Sequence, residues 1–358
     1  MKIGIITMVS DNYGNRLQNY ALQNILSDLG NSVETLNNPW TINYNVYLEW
    51  LKFNIKKFLF FITKRPERFQ RRINFERFNH DNIFFSKYWL NKKNDRIAAN
   101  QYYDMFICGS DQVWNSEAVE INGKYFADFA DVDKRASYAA SFGIEKIVDD
   151  RREEFIRYLL GMRHISVREH SGERIVEELI NRKVNCHIDP TLLLTRSQWD
   201  RISDQYKVAN HKYIFCYFLG KPTETILNKL REYKQKNNID VLSIWDGNDA
   251  SHNNVGPEGF LALIKGAEFV LTDSFHGTAF SVIYHKLFYT FSRNGVRESM
   301  DTRVVSLLEL LGLGDRFEPK NWNLYDDLKI DFHNADYILE NERKKAIEYL
   351  VEITQQKD

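Results

Sequence analysis

The residues with the clearest chemical potential surround one histidine, in the run Thr272-Asp273-Ser274-Phe275-His276-Gly277-Thr278. A β-rich apolar run ends at Asp273, and an apolar helical pattern begins directly around Gly277. The first turn of a helix leaves N–H groups without partners and carries a partial positive charge, so it can hold an anion. A histidine beside such a turn can exchange a proton with the bound group, as a general acid or base. The pattern therefore predicts an enzyme that acts on a small anionic substrate.

Further charged residues follow other predicted strands. Arg168 comes directly after a buried strand, and a guanidinium there suits a two-point contact with a carboxylate or phosphate. Arg293, Arg297 and Arg303 follow a later strand, and we expect one of them to face the same anion. Asp111 also follows a strand, where it could remove a hydroxyl proton or simply cap a helix.

Other motifs are weak or absent. Asp131 and Asp133 spell D-x-D, a pattern with which some glycosyltransferases hold a metal, but they precede a strand instead of following it. We therefore expect no metal site. The sequence contains no GxGxxG, P-loop, HExxH or GxSxG motif, so dinucleotide-binding, NTPase, zinc-protease and hydrolase functions lack support.

The elements that would position these residues alternate between strand and helix, which predicts an α/β protein with parallel sheets. Expected strands lie at residues 2–7, 32–36, 104–108, 136–142, 164–167, 184–188, 213–218, 240–245, 268–272 and 288–291. A polar stretch over residues 195–211 is predicted to link two Rossmann-like domains that face each other across a cleft. The predicted domains are residues 1–200 and 201–330, and residues 331–358 form a helix that returns to the first domain. Ligands of open α/β sheets lie beyond the carboxyl ends of the strands, where the loops named above fall.

Composition narrows the class of protein. A chain of 358 residues favours two domains, and a net charge of −1 gives no reason to expect binding to nucleic acid. The three cysteines form no CxxC pair, which argues against disulfides or structural zinc and favours the cytoplasm. The N-terminal residues resemble a core strand and not a signal peptide, and no apolar run reaches the ~18 residues of a membrane span. No pattern specifies an oligomeric state.

Residues 50–77 mix aromatic and aliphatic side chains with many lysines and arginines. One interpretation is a basic amphipathic helix in peripheral contact with the inner face of an anionic membrane. The other is an ordinary helix whose apolar face packs on its own domain.

Five blocks occur in a characteristic order along the chain. They are Asn12-Tyr13-Gly14-Asn15 with Leu17-Gln18, Gly109-Ser110-Asp111-Gln112-Val113-Trp114-Asn115, Ser166-Val167-Arg168, Asp189-Pro190-Thr191, and Thr272-Asp273-Ser274-Phe275-His276-Gly277. Together they resemble the polysaccharide pyruvyl transferase family, over roughly residues 3–315. The resemblance implies a fold like that of the GT-B glycosyltransferases. It also implies transfer of a pyruvyl group from phosphoenolpyruvate to two hydroxyls of a sugar, with no cofactor. The acceptor would be a sugar or a lipid-linked oligosaccharide of surface-polysaccharide assembly.

The resemblance also implies roles for individual residues. The expected catalytic residues are His276, as the acid that protonates the enol carbon, Asp111, as the base, and Arg168. Expected donor-binding residues are Ser274, Gly277, Thr278, Arg293 and Arg303, and expected acceptor-binding residues are Asn12, Tyr13, Asn15, Gln18 and Ser110. Family members carry an Arg-Leu-His stretch where this chain has Ser274-Phe275-His276. Arg168 and Arg303 would therefore have to supply more of the positive charge.

Two other functions fit the same pattern. A glycosyltransferase of GT-B type that uses a nucleotide sugar would share the cleft and the basic loops. A non-catalytic glycan-binding or assembly protein is consistent with the serine at position 274.

Overall fold

Two parallel β-sheets, one in each half of the chain, form the frame of the molecule. The computed structural model describes residues 1–38, 66–118, 121–208, 210–244, 252, 254–294, 301–320, 322 and 330–355. The first sheet contains β1 (Lys2–Ile6), β2 (Ser32–Asn37), β3 (Phe85–Trp89), β4 (Met105–Cys108) and β5 (Arg135–Ser137), in the order β3-β2-β1-β4-β5. A short parallel pair, β6 (Ser166–Val167) and β7 (Asn185–Cys186), adjoins β5 through isolated bridges. The second sheet contains β8 (Tyr213–Tyr217), β9 (Asp240–Ile244), β10 (Phe269–Thr272) and β11 (Leu287–Thr290), in the order β11-β10-β8-β9.

Helices connect these strands and cover the sheets. Those of the first half are α1 (Tyr13–Asp28), α2 (Pro66–Asn82), α3 (Lys93–Tyr102), α4 (Arg152–Leu160), α5 (His170–Ile180) and α6 (Arg196–Ser203). Those of the second half are α7 (Glu224–Asn237), α8 (Pro257–Gly266), α9 (Phe275–Ile283), α10 (Thr302–Leu310) and α11 (Phe332–Gln355). The strands are apolar along most of their length because parallel sheets are covered on both faces, as the fully buried Ile3, Ile5 and Phe106 illustrate.

The two halves contact each other directly. The ring of Tyr13 in α1 stacks on Phe260 in α8, with 4.6 Å between ring centroids and 9° between planes. The Tyr13 hydroxyl donates to the carbonyl of Val255 at 3.0 Å. The two halves therefore meet through a packed aromatic contact between α1 and α8.

The last helix crosses back to the first half. The Tyr349 hydroxyl in α11 donates to the carbonyl of Ser137 at 2.8 Å, and Arg343 Nε donates to the carbonyl of Leu192 at 2.7 Å. Near its start, Asp336 pairs with His285 of the second half at 3.0 Å. One helix thus joins both halves.

The polar stretch at 195–211 is more ordered than the sequence analysis predicts, because it contains α6. Thr195 accepts from the amide of Gln198, whose side chain in turn accepts from the amide of Thr195. This capping box is a sequence signal that polarity alone conceals. Lys265 of α8 pairs with Asp200 of α6 at 2.8 Å, so the predicted boundary at residue 200 falls inside a helix packed on the second half.

Two other expectations differ in detail. The strand expected over residues 136–142 is only three residues long in the structure, because Ala139 adopts a left-handed φ of 46° that interrupts extended backbone. The strand β3 and the helix α3 had no predicted counterpart, since their sequences are too polar to show a clear apolar period.

The basic segment at 50–77 lies partly outside the described residues, which resume at residue 66. Within α2, Phe75 and Phe78 are fully buried, and the Arg71 guanidinium lies 4.7 Å from the ring centroid of Tyr13. The described part of the segment therefore packs on its own domain. Membrane contact through residues 50–65 stays a prediction. Among the helices of the described ranges, none has the length and apolarity required to cross a membrane.

Candidate active site

Five charged side chains from both halves of the chain meet where the strands end, and we call them the ionic cluster. They are Asp111, Arg168, Asp189, His276 and Arg303, and all five are buried. Asp111 follows β4, Arg168 follows β6, and Asp189 lies three residues beyond β7. His276 lies in the first turn of α9, after β10, and Arg303 lies in the first turn of α10. The carboxyl ends of parallel strands thus bring together residues that are far apart in sequence.

Arg168 is the centre of the cluster. Its Nη1 lies 2.5 Å from Asp189 Oδ2, and its Nη2 lies 3.4 Å from Asp111 Oδ1. Its guanidinium carbon lies 4.6 Å from the ring centroid of Phe275. Burial alone would lower the pKa of Arg168, but the carboxylates of Asp189, Asp111 and Glu169 outweigh it and raise that pKa. Arg168 is therefore a permanent cation, fixed in orientation.

Arg303 supplies a second cation. Its Nη1 lies 3.8 Å from Asp111 Oδ1. Burial and the neighbouring Arg168 lower the pKa of Arg303 to about 10, although Asp111 opposes this. The side chain is still protonated at neutral pH, and its charge is only partly balanced.

His276 lies between a carboxylate and a helix terminus. Its Nε2 is 3.7 Å from Asp189 Oδ2. Its other ring nitrogen faces Gly14 in the first turn of α1, where a Cβ would lie only 2.0 Å from Nδ1. Glycine at position 14 is therefore required for the imidazole to occupy this place.

Asp189 is held by several donors. Its Oδ1 accepts from the amide and the hydroxyl of Thr191, at 2.9 and 2.7 Å, and its Oδ2 accepts from Ser110 Oγ at 3.2 Å. Burial would raise the pKa of Asp189, but His276, Arg168 and the Thr191 amide hold it well below its ordinary value. The carboxylate is thus ionised and can stabilise an imidazolium at His276.

Asp111 is the candidate base. Its Oδ2 accepts from Asn15 Nδ2, and its Oδ1 accepts from the amide of Gln112 at 2.9 Å. No described helix begins at this residue, so helix capping is not its role. Burial would raise the pKa of Asp111, but Arg168, His276 and Arg303 together lower it. The carboxylate is therefore ionised and is a weak base. It can accept the proton of a sugar hydroxyl only during the reaction, when attack makes that hydroxyl acidic.

Several buried N–H groups of the cluster have no hydrogen-bond partner among the described residues. They are Arg168 Nε, Arg303 Nε and His276 Nε2. An unpaired buried donor costs roughly 1–3 kcal/mol, more if charged, so such groups call for an explanation. Three in one cluster, all on groups that are or can become cationic, fit an anion-binding site.

The cluster has two acidic and three basic side chains, and the neighbouring Glu169 brings the acidic ones to three. Glu169 adjoins it, with Oε1 accepting from the amides of Phe142 and Gly143 at 2.8 and 3.0 Å. Glu169 Oε2 lies 3.9 Å from Arg168 Nε. With His276 protonated, the positive and negative charges are equal in number, so a bound anion must share the guanidiniums with Asp111 and Asp189.

The predicted acceptor-binding residues mostly support the loops. Asn12 caps α1 by accepting from the amide of Asn15 at 3.2 Å. Gln18 donates to Thr7 Oγ1 at 2.8 Å and accepts from the amide of Ser110 at 3.0 Å. Tyr13, Gln18 and Ser110 are fully enclosed, so the structure gives these side chains positioning contacts and no open face for an acceptor.

The predicted donor-binding residues divide in a similar way. Ser274 caps α9, accepting from the amide of Gly277 at 3.4 Å. Gly277 permits close packing, because a Cβ there would lie 2.3 Å from Thr272 Oγ1. Thr278 is buried and bonds to the carbonyl of Ser274 at 3.0 Å. Arg293 Nε lies 3.8 Å from Asp273 Oδ2, so of the two arginines among the described residues it is Arg303 that reaches the ionic cluster. The third candidate, Arg297, lies outside the described residues.

Sequence reasoning missed Asp189, Glu169 and the contact of Gly14 with His276. The signal for Asp189 was its position after a strand in an Asp-Pro-Thr run, since Asp side chains bond to the backbone two residues on. The contact of Gly14 with His276 joins residues from the two halves of the chain, so the sequence around Gly14 does not indicate it.

Two groups of side chains resemble metal sites, and one of them, containing His170 and Cys186, borders the cavity that adjoins the cluster. Asp131 and Asp133 are exposed at a short 3₁₀ turn before β5. The donor atoms of His170, Glu173 and Cys186 lie within 4.8 Å of one another, but burial raises the pKa of the Cys186 thiol and so disfavours the thiolate that binds metals.

Comparison with known proteins identifies a family and a fold. A family model described as polysaccharide pyruvyl transferase matches residues 12–295. No curated protein matches the sequence. Among solved structures, the S. aureus MnaA–UDP co-structure has 13% identity and a TM-score of 0.51, covering 100% of this chain and 98% of that one. UDP-GlcNAc 2-epimerase from Methanocaldococcus jannaschii has 11% identity and a TM-score of 0.49, with 99% and 94% covered. The predicted GT-B-like fold is thereby confirmed.

Proposed function

Since this chain belongs to the polysaccharide pyruvyl transferase family, we propose that it transfers the pyruvyl group of phosphoenolpyruvate to a sugar of a surface polysaccharide or its precursor. The products would be a cyclic pyruvate ketal and inorganic phosphate. The observation that supports the proposal is the set of unpaired N–H groups on Arg168, Arg303 and His276. A donor with a carboxylate and a phosphate would give each of them a partner.

Arg168 and Arg303 would bind the donor. Their paired Nη atoms face Asp111 and Asp189. The Nε of each makes no hydrogen bond within the described residues, and a ligand oxygen at Arg168 would share it with Glu169, 3.9 Å away. Charge-assisted hydrogen bonds of this kind are about twice as strong as neutral ones. Ser274 offers no charge in this scheme, since its hydroxyl caps α9.

Proton transfer would involve His276 and Asp111. Protonated His276 gives its proton to C3 of the enol, so that C2 becomes electrophilic. A sugar hydroxyl attacks C2 and passes its proton to Asp111, and the C2–O bond to phosphate breaks. The second hydroxyl closes the ketal and releases the second proton. Of the two protons that the sugar hydroxyls release, one restores the proton that His276 gave up and the other leaves on the phosphate. The reaction needs no cofactor besides the donor.

Access to the cluster requires movement. The cavity that adjoins it is lined by Arg168, Asp189, Phe275 and Arg303 and encloses about 60 Å³. That volume is far below the ~300–1,000 Å³ of typical small-molecule sites, so it does not admit a three-carbon phosphate ester. We therefore expect the two halves to separate when the donor enters.

The proposed reaction takes place in the cytoplasm, at the inner face of the membrane if the acceptor is a lipid-linked oligosaccharide.

Calorimetry with phosphoenolpyruvate tests the donor. We expect the wild-type chain to bind it and Arg303→Ala to bind at least about tenfold more weakly, because a hydrogen bond to a charged group is worth roughly 1.5–3 kcal/mol. Arg174→Ala is the matched control, since it removes an exposed pair with Glu145. Binding of a nucleotide sugar without phosphoenolpyruvate would contradict the proposal and favour a glycosyltransferase. Binding of neither would favour a glycan-binding or assembly protein.

A further inference from the structure

A second cavity lies at the carboxyl edge of the second sheet. Phe218, Asp273 and Phe291 line it, and they directly follow β8, β10 and β11. Its volume is about 410 Å³, within the usual range of small-molecule sites. Asp273 also lies three residues before His276, so one loop borders this cavity and reaches the ionic cluster. The ionic cluster and this cavity therefore both lie at the carboxyl edge of the sheet, which is where α/β sheets bind ligands.

Lysines supply the free charge of this cavity. Lys221, Lys229 and Lys320 line it. Lys229 Nζ is anchored, since it donates to the carbonyl of Trp322 at 2.7 Å and lies 4.4 Å from that ring's centroid. Lys221 and Lys320 are exposed, and no ion pair of theirs is found within the described ranges.

The two acidic residues of the lining are already engaged by backbone groups. Asp273 accepts from the amides of Leu219 and Gly220 at 2.6 and 2.7 Å. Glu318 accepts from the amide of Ser292 at 2.6 Å. Because these carboxylates already accept hydrogen bonds from backbone amides, they compete less with an anionic ligand for the lysines. The charge that the cavity offers to a ligand is therefore mainly that of the lysine ammonium groups.

The start of α7 also faces the cavity. Thr223 and Thr225 line it, and Thr223 Oγ1 accepts from the amide of Ile226 at 3.2 Å. This bond satisfies one first-turn amide, and the others in the turn have no partner within the helix. The positive end of α7 therefore adds to the field of the lysines.

Aromatic rings form the apolar side. Phe291 contacts Trp322 with 5.4 Å between ring centroids, and Phe218 contacts Phe291 at 6.3 Å. A ligand that fits this cavity thus has one anionic end and one part that tolerates aromatic surface.

We propose that this cavity binds the phosphate-bearing part of a phosphorylated sugar. The shared chemistry is a sugar joined to a phosphate or diphosphate, as found in both glycosyl phosphates and nucleoside diphosphates. That the ligand is the acceptor, with its hydroxyls directed toward His276, rests on the proposed function.

Binding titrations of the full chain test this inference, with glucose 1-phosphate, uridine diphosphate and inorganic phosphate as probes. We expect at least one sugar-bearing probe to bind, and to bind about tenfold more weakly to the double variant Lys221→Ala/Lys320→Ala, because two charged contacts are lost. The matched control is Lys207→Ala/Lys234→Ala, which removes two exposed lysines outside the cavity lining and should leave affinity unchanged.

The outcomes separate the two proposals. Tighter binding of glucose 1-phosphate supports a glycosyl phosphate, and tighter binding of uridine diphosphate supports a nucleotide; both support the site. Equal affinity of the double variant and the wild type, or no binding of any probe, overturns it. Phosphoenolpyruvate affinity should survive Lys221→Ala/Lys320→Ala, since Arg168 and Arg303 are intact. If the wild-type chain does not bind phosphoenolpyruvate, the proposed donor is wrong, while the proposal for the cavity stands on its own titrations.

Discussion

At the scale of single residues, the environment of His276 determines what the site can do. Asp189 lies 3.7 Å from Nε2, and the first turn of α1 lies against Nδ1 at Gly14. The imidazole is thus fixed between a buried carboxylate and the first turn of a helix, so its position in the site is set before any ligand binds.

Replacing His276 tests its role as the acid. We expect His276→Ala to lower phosphate release from phosphoenolpyruvate by about 10²- to 10⁴-fold, the usual contribution of a positioned acid or base. The assay uses extracted lipid-linked oligosaccharide as acceptor. His80→Ala is the control, because His80 is exposed and pairs with the adjacent Asp81 at the surface. Equal rates for His276→Ala and the wild type would remove His276 from the mechanism.

The pKa of Asp189 leads to a prediction about acid stability. Since that pKa is lowered in the folded protein, the ionised carboxylate contributes stability above the ordinary aspartate value of about 3.9. This contribution is lost as pH falls below that value toward the folded-state pKa, with a slope of about 1.4 kcal/mol per pH unit for each such group. Urea unfolding of the wild type and Asp189→Asn between about pH 4 and pH 3 measures the difference.

In that comparison, Asp189→Asn should show a shallower acid dependence. It should also lose about 3 kcal/mol of unfolding free energy at neutral pH, because it breaks a buried pair with Arg168. Asp131→Asn, which disturbs only an exposed pair with Lys134, should cost less than about 1 kcal/mol. Identical slopes for wild type and Asp189→Asn would contradict the assigned ionisation.

Gly14→Ala separates packing from helix propensity. Alanine favours a helix over glycine by about 1 kcal/mol, yet its Cβ would overlap the His276 ring. We therefore expect weaker turnover with little gain in stability. Gly314→Ala is the control, since no atom lies within 4 Å of the Cβ position there and its φ is not in the left-handed region. Wild-type turnover of Gly14→Ala would show that the imidazole can move without consequence.

Part of the site follows from the sequence because parallel strands end at a common edge. Asp111, Arg168 and His276 each follow a strand closely, so a search of strand ends identifies them. The strand before Asp189 was also predicted, at residues 184–188, but nothing in the Asp-Pro-Thr run that follows it shows that the carboxylate pairs with Arg168 after a neighbouring strand. Arg293 and Arg303 had equal local support, and only the course of the chain into α10 separates them.

At the scale of elements, α6 shows how a cap can define a helix within a polar stretch. Thr195→Ala should lower the free energy of unfolding by about 0.5–2 kcal/mol, the usual cost of losing an N-cap. Thr195→Ser keeps an acceptor oxygen and should retain most of that stability. Thermal or urea denaturation distinguishes them, and equal losses in both variants would show that the hydroxyl is not the stabilising group.

The elements found from sequence are those with strong apolar patterns, such as β1, β8, β10 and α1. The edge strand β3 was missed because an edge strand buries fewer of its side chains. The helix α3 was missed because it is polar and buries only Ala99. The apolar face of α2 was recognised, but its partner was not, since burial of Phe75 depends on contact with Tyr13 in a different helix.

At the scale of the whole molecule, Tyr13 links the two halves and so affects how far they open. Tyr13→Phe removes the hydrogen bond to Val255 and should favour the separated state by about 1 kcal/mol, strengthening phosphoenolpyruvate binding by up to about fivefold, since the donor enters that state. Tyr337→Phe, at an exposed tyrosine, is the control. A changed KM for the acceptor with unchanged donor affinity would instead support the predicted acceptor contact of Tyr13.

The return of α11 to the first half has a consequence for synthesis of the protein. The ring of Tyr349 covers His187 at 4.7 Å between centroids, and its hydroxyl bonds to Ser137. During translation, the ribosome produces residues 137 and 187 long before residue 349. The surface that α11 covers is therefore exposed to solvent and chaperones on the nascent chain, and the first half completes its packing only after almost the whole polypeptide has emerged.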